Sequence, residues 1–216
     1  MTATASARQH AARVARALAR SYPDAQCALR HSNPLELLVA TMLSAQCTDR
    51  RVNEVTSALF RTYRTAADYA QAPEAELARA IQSTGFFRNK ARNIRRCCQQ
   101  LVERHGGEVP RDMESLTALA GVGRKTANVV LGTAYGEATG VVVDTHVARL
   151  AKRLGLTRER TPERIERDLM AVLPKREWIA FSHRMIHHGR LICTARQPKC
   201  DVCPLARLCP KIGVRT

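Results

Sequence analysis

Residues 112–135 read DMESLTALAGVGRKTANVVLGTAY, two apolar helical segments separated by the turn Gly121-Val122-Gly123. Asp112 is placed to cap the first segment, and the second begins at Arg124. Glycine permits positive φ and close approach of the backbone to a ligand. The amides of the turn and of the next helix start should therefore form an anion nest. We interpret the unit as a helix–hairpin–helix that binds a DNA phosphate through the turn and Arg124. The alternative is a plain αα-hairpin whose glycines serve packing.

The rest of the sequence also has the punctuation of helices. Asn33-Pro34 and Thr161-Pro162 are typical cap-plus-proline helix starts, Asp49 is expected to cap another helix, and Gly106-Gly107 is a natural helix end. Alternation with period two is nearly absent, and VVV at 141–143 is too short to be more than a linker. The sequence therefore predicts about ten helices and an all-α fold. The last 24 residues differ, since they hold four Cys and three Pro.

The composition is strongly basic: 35 Lys and Arg residues against 19 Asp and Glu residues give a net charge of +16. A globular chain with this balance is expected to bind a polyanion. Nucleic acid is favoured over an anionic membrane because no amphipathic basic helix dominates. No apolar stretch reaches the roughly 18 residues of a membrane span. The first 22 residues are rich in Arg, Ala and Ser like a transit peptide, but we favour an ordinary surface helix from about 7 to 22. With no secretory segment, we expect an intracellular chain with reduced thiols.

The tail CTARQPKCDVCPLARLC at 193–209 spaces four cysteines as C-x6-C-x2-C-x5-C. Four reduced thiols this close are typical of a metal centre, and the spacing leaves both tetrahedral zinc and a cubane iron–sulfur cluster open. Arg196 and Lys199 lie between the first two cysteines, so a metal would hold a basic loop outward, toward phosphate. The candidate ligands are Cys193, Cys200, Cys203 and Cys209. The remaining cysteines are expected to be small buried apolar residues within helices: Cys27, Cys47, Cys97 and Cys98.

Five motifs occur in order along the chain: LSAQCTD at 43–49, GFFRNKARNI at 85–94, LAGVGRKTANVVL at 119–131, VDTHV at 143–147 and the terminal cysteine array. Together they resemble the endonuclease III family, bifunctional DNA glycosylases and AP lyases of the helix–hairpin–helix–GPD superfamily. The resemblance extends from about residue 25 to residue 209. Any one motif could mislead, but the ordered set is highly specific.

The resemblance implies an all-α, two-lobed helix–hairpin–helix DNA glycosylase fold with a C-terminal [4Fe-4S] cluster loop. One lobe would be a six-helix barrel at 27–137, with the hairpin at about 112–135. The other would join 1–26 to 138–216 and hold the cluster, and DNA would lie across the cleft between the lobes. The resemblance, and not the cysteine spacing, selects [4Fe-4S] over zinc.

The resemblance also assigns chemistry to single residues. Lys125 would be the nucleophile that displaces the base at C1′ and leaves a Schiff base; the alternative is a lysine that clamps phosphate. Asp144 would be its carboxylate partner, or only the N-cap of the next helix. An enzyme that acts on a base within a duplex must flip it out and fill the gap. Gln46 is implied as the gap filler and Phe86 as an apolar wedge. Their alternatives are an ordinary helix-end glutamine and a core aromatic.

The implied function is base excision DNA repair: removal of oxidised pyrimidines, then cleavage of the abasic strand by β-elimination. Two alternatives stay open, a monofunctional mismatch glycosylase of the same superfamily, which would lack the lysine at position 125, and a non-catalytic DNA-binding iron–sulfur protein. Gln197 departs from the family pattern, which often has a basic residue before the loop proline. The expected partner is double-stranded DNA with a damaged pyrimidine or an abasic site. We expect a monomer without membrane contact, acting in the cytoplasm of a bacterium.

Overall fold

The computed structural model describes residues 4–214, and in that range the chain forms eleven α-helices and no β-strand. The helices are α1 (Ala5–Ser21), α2 (Pro34–Leu43), α3 (Asp49–Thr62), α4 (Ala66–Gln71), α5 (Glu74–Ala80), α6 (Phe87–His105), α7 (Met113–Thr117), α8 (Arg124–Tyr135), α9 (Thr145–Arg153), α10 (Pro162–Val172) and α11 (Trp178–Leu191). Short 3-10 turns occur at Gln82–Thr84, Lys175–Glu177 and Ala206–Leu208. The all-α fold expected from the sequence is confirmed.

The proline-marked helix starts behave differently from each other. Asn33 caps α2 with its side chain, and Pro34 takes the first helical position, as predicted. Thr161 makes no side-chain capping bond, so α10 begins with Pro162 and without the predicted cap. Proline alone suffices there because its fixed φ suits the first turn, where its missing N–H has no partner to lose.

The expected cap at Asp49 is wrong by one residue. The N-cap of α3 is Thr48, whose Oγ1 accepts a hydrogen bond from the N–H of Arg51 at 3.3 Å. Asp49 is the first helical residue, where a negative charge suits the positive end of the helix dipole. The Thr48 hydroxyl therefore serves as the cap, and the Asp49 carboxylate lies in the first turn of the helix.

The chain divides into two compact units, and the first, Cys27–Glu137, is a single stretch of sequence. It contains α2 to α8, which is seven helices where the resemblance implied six. In this hairpin unit, α4 and α5 pack on α6, while α2 and α7 pack on α8. Its largest fully buried side chains are Leu37, Leu38, Leu43, Tyr69, Leu77, Ile81, Ile94, Leu101, Leu116 and Leu131. The helix after the glycine turn is thus anchored in an apolar core.

The second unit combines residues 4–26 with 138–214 and has a core of its own. In this cluster unit, α1 packs against α10 and α11, and α9 packs against α11. The surface-helix interpretation of the N-terminal segment is confirmed, since one face of α1 is buried at Ala11, Val14 and Leu18. The valines at 141–143 are buried without forming a strand.

The four cysteines outside the tail are of two kinds. Cys97 and Cys98 lie on α6 and are 1% exposed, as expected for small apolar residues. Cys27 and Cys47 are only partly buried and lie outside the helices, so the expectation was wrong for these two. None of the helices described between residues 4 and 214 is long and apolar enough to cross a bilayer.

Candidate nucleic-acid interface and metal centre

Gly121 fixes the conformation of the turn between α7 and α8. Its φ is +75°, and a Cβ there would lie 2.9 Å from Asn93 Cβ and 3.0 Å from Met42 Cε. Gly123 does not share these constraints, because its φ of −92° and ψ of 171° are extended backbone and a Cβ would meet nothing within 4 Å. The positive φ that glycine permits is therefore used at Gly121 and not at Gly123.

The remaining residues of the turn are held from inside the hairpin unit. The N–H of Ala120 donates to Gln100 Oε1 at 2.7 Å, and the side chain of Val122 is buried. No side chain caps the start of α8, which is the end where a helix favours an anion. Arg124 and Lys125 are both exposed in this first turn. The hairpin thus presents a fixed backbone and two cations to solvent.

Gln46 and Phe86 share a rare backbone state. Their φ values are 53° and 49°, in the left-handed region that non-glycine residues seldom adopt. Phe86 is 64% exposed, so the core-aromatic alternative is wrong, and its neighbour Phe87 packs against the core instead. With Gly121, both residues border one cavity of about 170 Å³ in the hairpin unit. Three separate sequence motifs therefore meet at one surface feature, with strain of the kind that clusters at functional sites.

Asp144 is the N-cap of α9 in the cluster unit. Its Oδ1 accepts a hydrogen bond from the N–H of Val147 at 2.8 Å, and the side chain is partly buried. The preceding valines are fixed in turn, since the N–H of Val142 donates to Ser182 Oγ at 3.0 Å. The carboxylate is therefore held in one orientation, which suits a cap and equally suits a carboxylate that must face a reacting sugar.

Arg149, one turn further along α9, connects this helix to the end of α11. Its guanidinium donates to the carbonyl oxygens of Gly189 and Cys193 at 2.9 Å and lies 3.2 Å from His146 Nδ1. A Cβ at Gly189 would lie 2.9 Å from His146 Cβ, so the two helices pack closely here. Burial lowers the pKa of Arg149, while the Asp144 carboxylate favours its charged form. Asp144 and the first cysteine of the tail thus share one structural partner.

The four tail cysteines line one small cavity in the cluster unit, together with Leu150, Leu154 and Leu205. All four carry free thiols. Within residues 4–214 no three His, Cys, Asp or Glu side chains converge on one ion position. A cubane cluster binds each thiolate through a different iron, so it needs ligands spread around a space and not gathered at a point. Four thiols around one cavity are a donor set of the kind that binds an iron–sulfur cluster.

Hydrogen-bond donors point at the sulfur atoms from several directions. Arg153 donates from Nη1 to Cys193 Sγ at 3.2 Å, and the N–H of Lys211 donates to Cys209 Sγ at 3.3 Å. Such donors stabilise thiolates and tune a bound cluster. Burial raises the pKa of the Cys203 and Cys209 thiols, so a cationic metal centre is what would keep them deprotonated.

A buried histidine approaches the same cavity. His188 Nε2 is 3.5 Å from Cys203 Sγ, and Nδ1 is 2.7 Å from the hydroxyl of Tyr22. Burial lowers the pKa of His188 to about 4, so the ring is neutral near pH 7. Burial also raises the pKa of Tyr22, so its hydroxyl stays protonated. The neutral ring therefore links the Tyr22 hydroxyl to the Cys203 sulfur through its two nitrogens.

Backbone and side-chain bonds shape the loop that carries the predicted cations. The Thr194 hydroxyl donates to the carbonyl oxygen of Gln197 at 2.6 Å, and the N–H of Lys199 donates to that of Ile192 at 3.0 Å. Arg153 holds the other side by donating to the Thr194 carbonyl at 2.7 Å. Arg196 and Lys199 remain exposed on the outside of this loop.

Four buried or partly buried polar residues that support these sites were not predicted: Lys90, Arg149, Arg153 and His188. Three of them are among 35 Lys and Arg residues, and nothing in the sequence next to a cation signals its burial. The spacing of Arg149 and Arg153, four apart on α9, places both on one helical face. That spacing is the only hint the sequence contains.

Comparison with known proteins gives two family matches. Residues 39–175 match the HhH-GPD superfamily base excision DNA repair proteins, and residues 193–209 match the iron-sulfur binding domain of endonuclease III. The first match includes Lys125 and Asp144, and the second includes all four tail cysteines. The iron–sulfur cluster expected from the resemblance is confirmed.

The chain is similar to endonuclease III of Synechocystis sp., with 54% identity over 206 residues that cover 95% of this chain and 94% of the relative. It is also similar to a solved non-covalent endonuclease III–DNA complex, with 49% identity, a TM-score of 0.90 and coverage of 94% of this chain and 95% of the other. A trapped endonuclease III–DNA covalent intermediate, in an estranged-adenine complex, matches with 49% identity, a TM-score of 0.91 and coverage of 94% and 96%. The resemblance drawn from the five motifs is confirmed.

Proposed function

Because the chain belongs to the endonuclease III family of helix–hairpin–helix–GPD base excision repair proteins, we propose that it removes oxidised pyrimidines from duplex DNA and then cleaves the abasic strand by β-elimination. The observation that carries this proposal is the full-length similarity to an endonuclease III–DNA covalent intermediate, together with the exposed amine of Lys125 beside the glycine turn. A covalent intermediate requires a nucleophile on the protein, and this chain has a lysine where the motif places one.

Lys125 is proposed as that nucleophile. Its unprotonated Nζ forms a bond to C1′ of the damaged nucleotide as the glycosidic bond breaks, and the base leaves with the bonding electrons and takes up a proton. Opening of the sugar ring gives an iminium ion, the protonated Schiff base. Loss of a C2′ proton then expels the 3′ phosphate, which cuts the strand. Position 125 suits this role because it is exposed in the first turn of α8, where the helix end draws in the phosphate backbone.

Asp144 is proposed to stabilise the cationic sugar while the base departs, or to relay a proton. Its oriented carboxylate supports this role, since the N–H of Val147 fixes one oxygen at 2.8 Å. The capping and chemical roles are compatible, because a single capping bond leaves acceptor capacity on both carboxylate oxygens.

The DNA contacts are proposed to come from four places in the chain. The turn and Arg124 bind phosphate through backbone amides and charge. Gln46 fills the gap left by the flipped base, and Phe86 wedges between bases of the opposite strand. Arg196 and Lys199 add phosphate contacts from the cysteine loop. The exposed left-handed backbone at both Gln46 and Phe86 supports their insertion.

The [4Fe-4S] cluster is proposed to bind through Cys193, Cys200, Cys203 and Cys209, which line one cavity. A bound cluster can store and release an electron, but base removal and β-elimination exchange none with it. The proposed role of the four cysteines is to hold the basic loop. The partner is double-stranded DNA, and we place the protein as a monomer acting on the chromosome in the bacterial cytoplasm.

The test is strand nicking with borohydride trapping. Purified protein is given a duplex with one abasic site and a duplex with one thymine glycol, with and without borohydride. The parent should nick both and form a covalent adduct. Lys125→Gln should bind either duplex but neither nick nor trap. Asp144→Asn should lose base excision by about 10²- to 10⁴-fold yet retain some nicking at the preformed abasic site, where no base is expelled.

Lys175→Gln is the matched control, since it removes an exposed lysine charge from the cluster unit and should behave like the parent. A Lys125→Gln protein that still traps would show that another amine is the nucleophile. The two alternatives are separated by the parent alone: a monofunctional glycosylase would release the base without nicking, and a non-catalytic binding protein would do neither.

A further inference from the structure

Lys90 is a cation buried inside the hairpin unit. Its side chain lies on α6 and is 7% exposed. The ammonium donates to the carbonyl oxygen of Leu43 at 2.8 Å and to that of Thr84 at 2.8 Å. Among the residues that the structure describes, it makes no ion pair with a carboxylate, and burial lowers its pKa. Burying an unpaired charge is unfavourable, so a lysine here calls for an explanation beyond packing.

The two carbonyl groups belong to the two loops that carry the proposed gap-filling residues. Leu43 is the last residue of α2, three positions before Gln46. Thr84 ends a 3-10 turn two positions before Phe86, and its hydroxyl is itself fixed by the Ile81 carbonyl at 2.8 Å. Gln46 and Phe86 themselves have left-handed backbone and exposed side chains. One ammonium therefore bridges two chain segments about 40 residues apart. It binds each segment within three positions of the residue that has left-handed backbone.

We propose that Lys90 is a positioning residue that couples the Gln46 loop to the Phe86 loop, so that both side chains enter the DNA stack in register. This inference rests on the proposed function. The shared cavity of about 170 Å³ supports it, because Lys90 lines that cavity together with Gln46 and Phe86. An insertion that spans both strands needs a fixed separation between its two parts, and a buried bridge supplies one.

The chemistry of the side chain explains why lysine is used. An ammonium has three donors and no acceptor, so it can serve two carbonyl oxygens at once from a single atom. Both acceptors are neutral, which leaves the bridge independent of the charge of any neighbouring carboxylate. Methionine is close to lysine in length and shape but has no donor, so Lys90→Met removes the bridge while filling the same space.

The experiment measures single-turnover excision of thymine glycol from a duplex, and nicking of a single-stranded oligonucleotide with a preformed abasic site. Lys90→Met should slow duplex excision about 10- to 100-fold, the scale expected when inserted groups are misplaced by about 1 Å. Nicking of the single strand and its borohydride trapping should stay within about twofold, because no gap is filled there. Arg96→Met, an exposed cation on the same helix, should change neither rate.

Combined variants distinguish positioning from a general loss of structure. If Lys90 acts through the two loops, adding Lys90→Met to a Gln46→Ala, Phe86→Ala background should have little further effect on duplex excision. Effects that multiply, or an equal loss of single-strand nicking, would overturn the proposal. Lys90→Gln, which keeps a donor, covers the case in which Lys90→Met does not fold; if neither variant folds, Lys90 is a stability residue and the proposal is wrong. If the parent protein forms no borohydride-trapped adduct at all, the proposed function itself is wrong.

Discussion

Two exposed basic loops, the glycine turn at 119–125 and the cysteine loop at 193–209, are built by opposite means. The turn is rigid because its inner side packs against the hairpin unit: Gly121 has no room for a side chain, and Val122 is buried in the core. The cysteine loop has neither feature. Between Cys193 and Cys200 it is held by a few hydrogen bonds from Thr194, Lys199 and Arg153, and its cysteines line one small cavity.

Two exposed basic loops of one protein can therefore differ in what keeps them ordered. The turn needs only that the hairpin unit be folded, whereas the loop needs a cofactor to fill its centre. Removing the cluster should therefore separate the two contributions to DNA binding.

Cys200→Ala should release the cysteine loop and leave the turn intact. We expect loss of the brown iron–sulfur absorption and a fall in DNA affinity, because Arg196 and Lys199 lose their frame. With two phosphate contacts removed, the slope of log K against log salt should fall in magnitude by about 1.8. Filter binding at several salt concentrations measures the slope, and circular dichroism checks that helices remain. Cys27→Ala, outside the loop, is the control; a Cys200→Ala protein with the slope of the parent would show that the cysteines do not frame a phosphate contact.

Gly121→Ala and Gly123→Ala should separate folding from phosphate contact within the turn itself. Alanine at 121 meets a φ of +75° and a neighbour at 2.9 Å, so the unfolding free energy should fall by about 1–3 kcal/mol, and DNA affinity should fall with it. Alanine at 123 meets open space and should change stability by no more than about 0.5 kcal/mol, a small mutational effect. Its DNA affinity should still drop, because the added methyl lies at the phosphate. Thermal melts and duplex binding test this, and a Gly123→Ala protein with full affinity would place the phosphate elsewhere.

The buried thiols on α6 should respond to pH in the opposite way from metal-bound ones. Burial raises the pKa of Cys97 to about 12, above its value in the unfolded chain, so the protonated thiol is favoured in the fold. Its stabilisation is complete below about pH 8.5 and is lost as pH rises toward 12, by about 1.4 kcal/mol per pH unit. Urea unfolding of the parent and of Cys97→Ala at pH 7.5 and 9.5 should show a weaker pH dependence in the variant. Equal dependence would mean that Cys97 is not the titrating group.

The sequence predicts the hairpin well because its signals are local. Asp112 and the glycine turn mark the starts of α7 and α8, and α8 spans Arg124–Tyr135 as predicted. The difference between Gly121 and Gly123 could not be predicted, because it depends on Met42 and Asn93, which arrive from α2 and α6. The same holds for the turn's exposure of Lys125, which follows from what packs behind it.

The supporting residues of the sites were not predictable for the same reason. Lys90 bonds a carbonyl 47 positions away, and Arg153 bonds one 41 positions away. Phe86 and Phe87 are identical as sequence, yet the first is exposed and the second packs on the core. Only the backbone turn at Gly85 and the contacts of α6 decide which of the two faces solvent. The order of the motifs could identify the family. Tertiary contacts are needed to distinguish a buried supporting side chain from an exposed one.

The division of the chain has a consequence for its synthesis on the ribosome. Cys27–Glu137 is continuous, so it can fold as soon as it emerges, with its turn complete. α1 emerges earlier but has no partner yet: its bonds from His10 and Tyr22 span 144 and 166 positions to Leu154 and His188. Translation of residues 138–216 takes roughly 4–16 s at ordinary elongation rates. During that interval we expect nascent chains that carry a formed hairpin while the N-terminal helix still lacks its partners and is sensitive to protease.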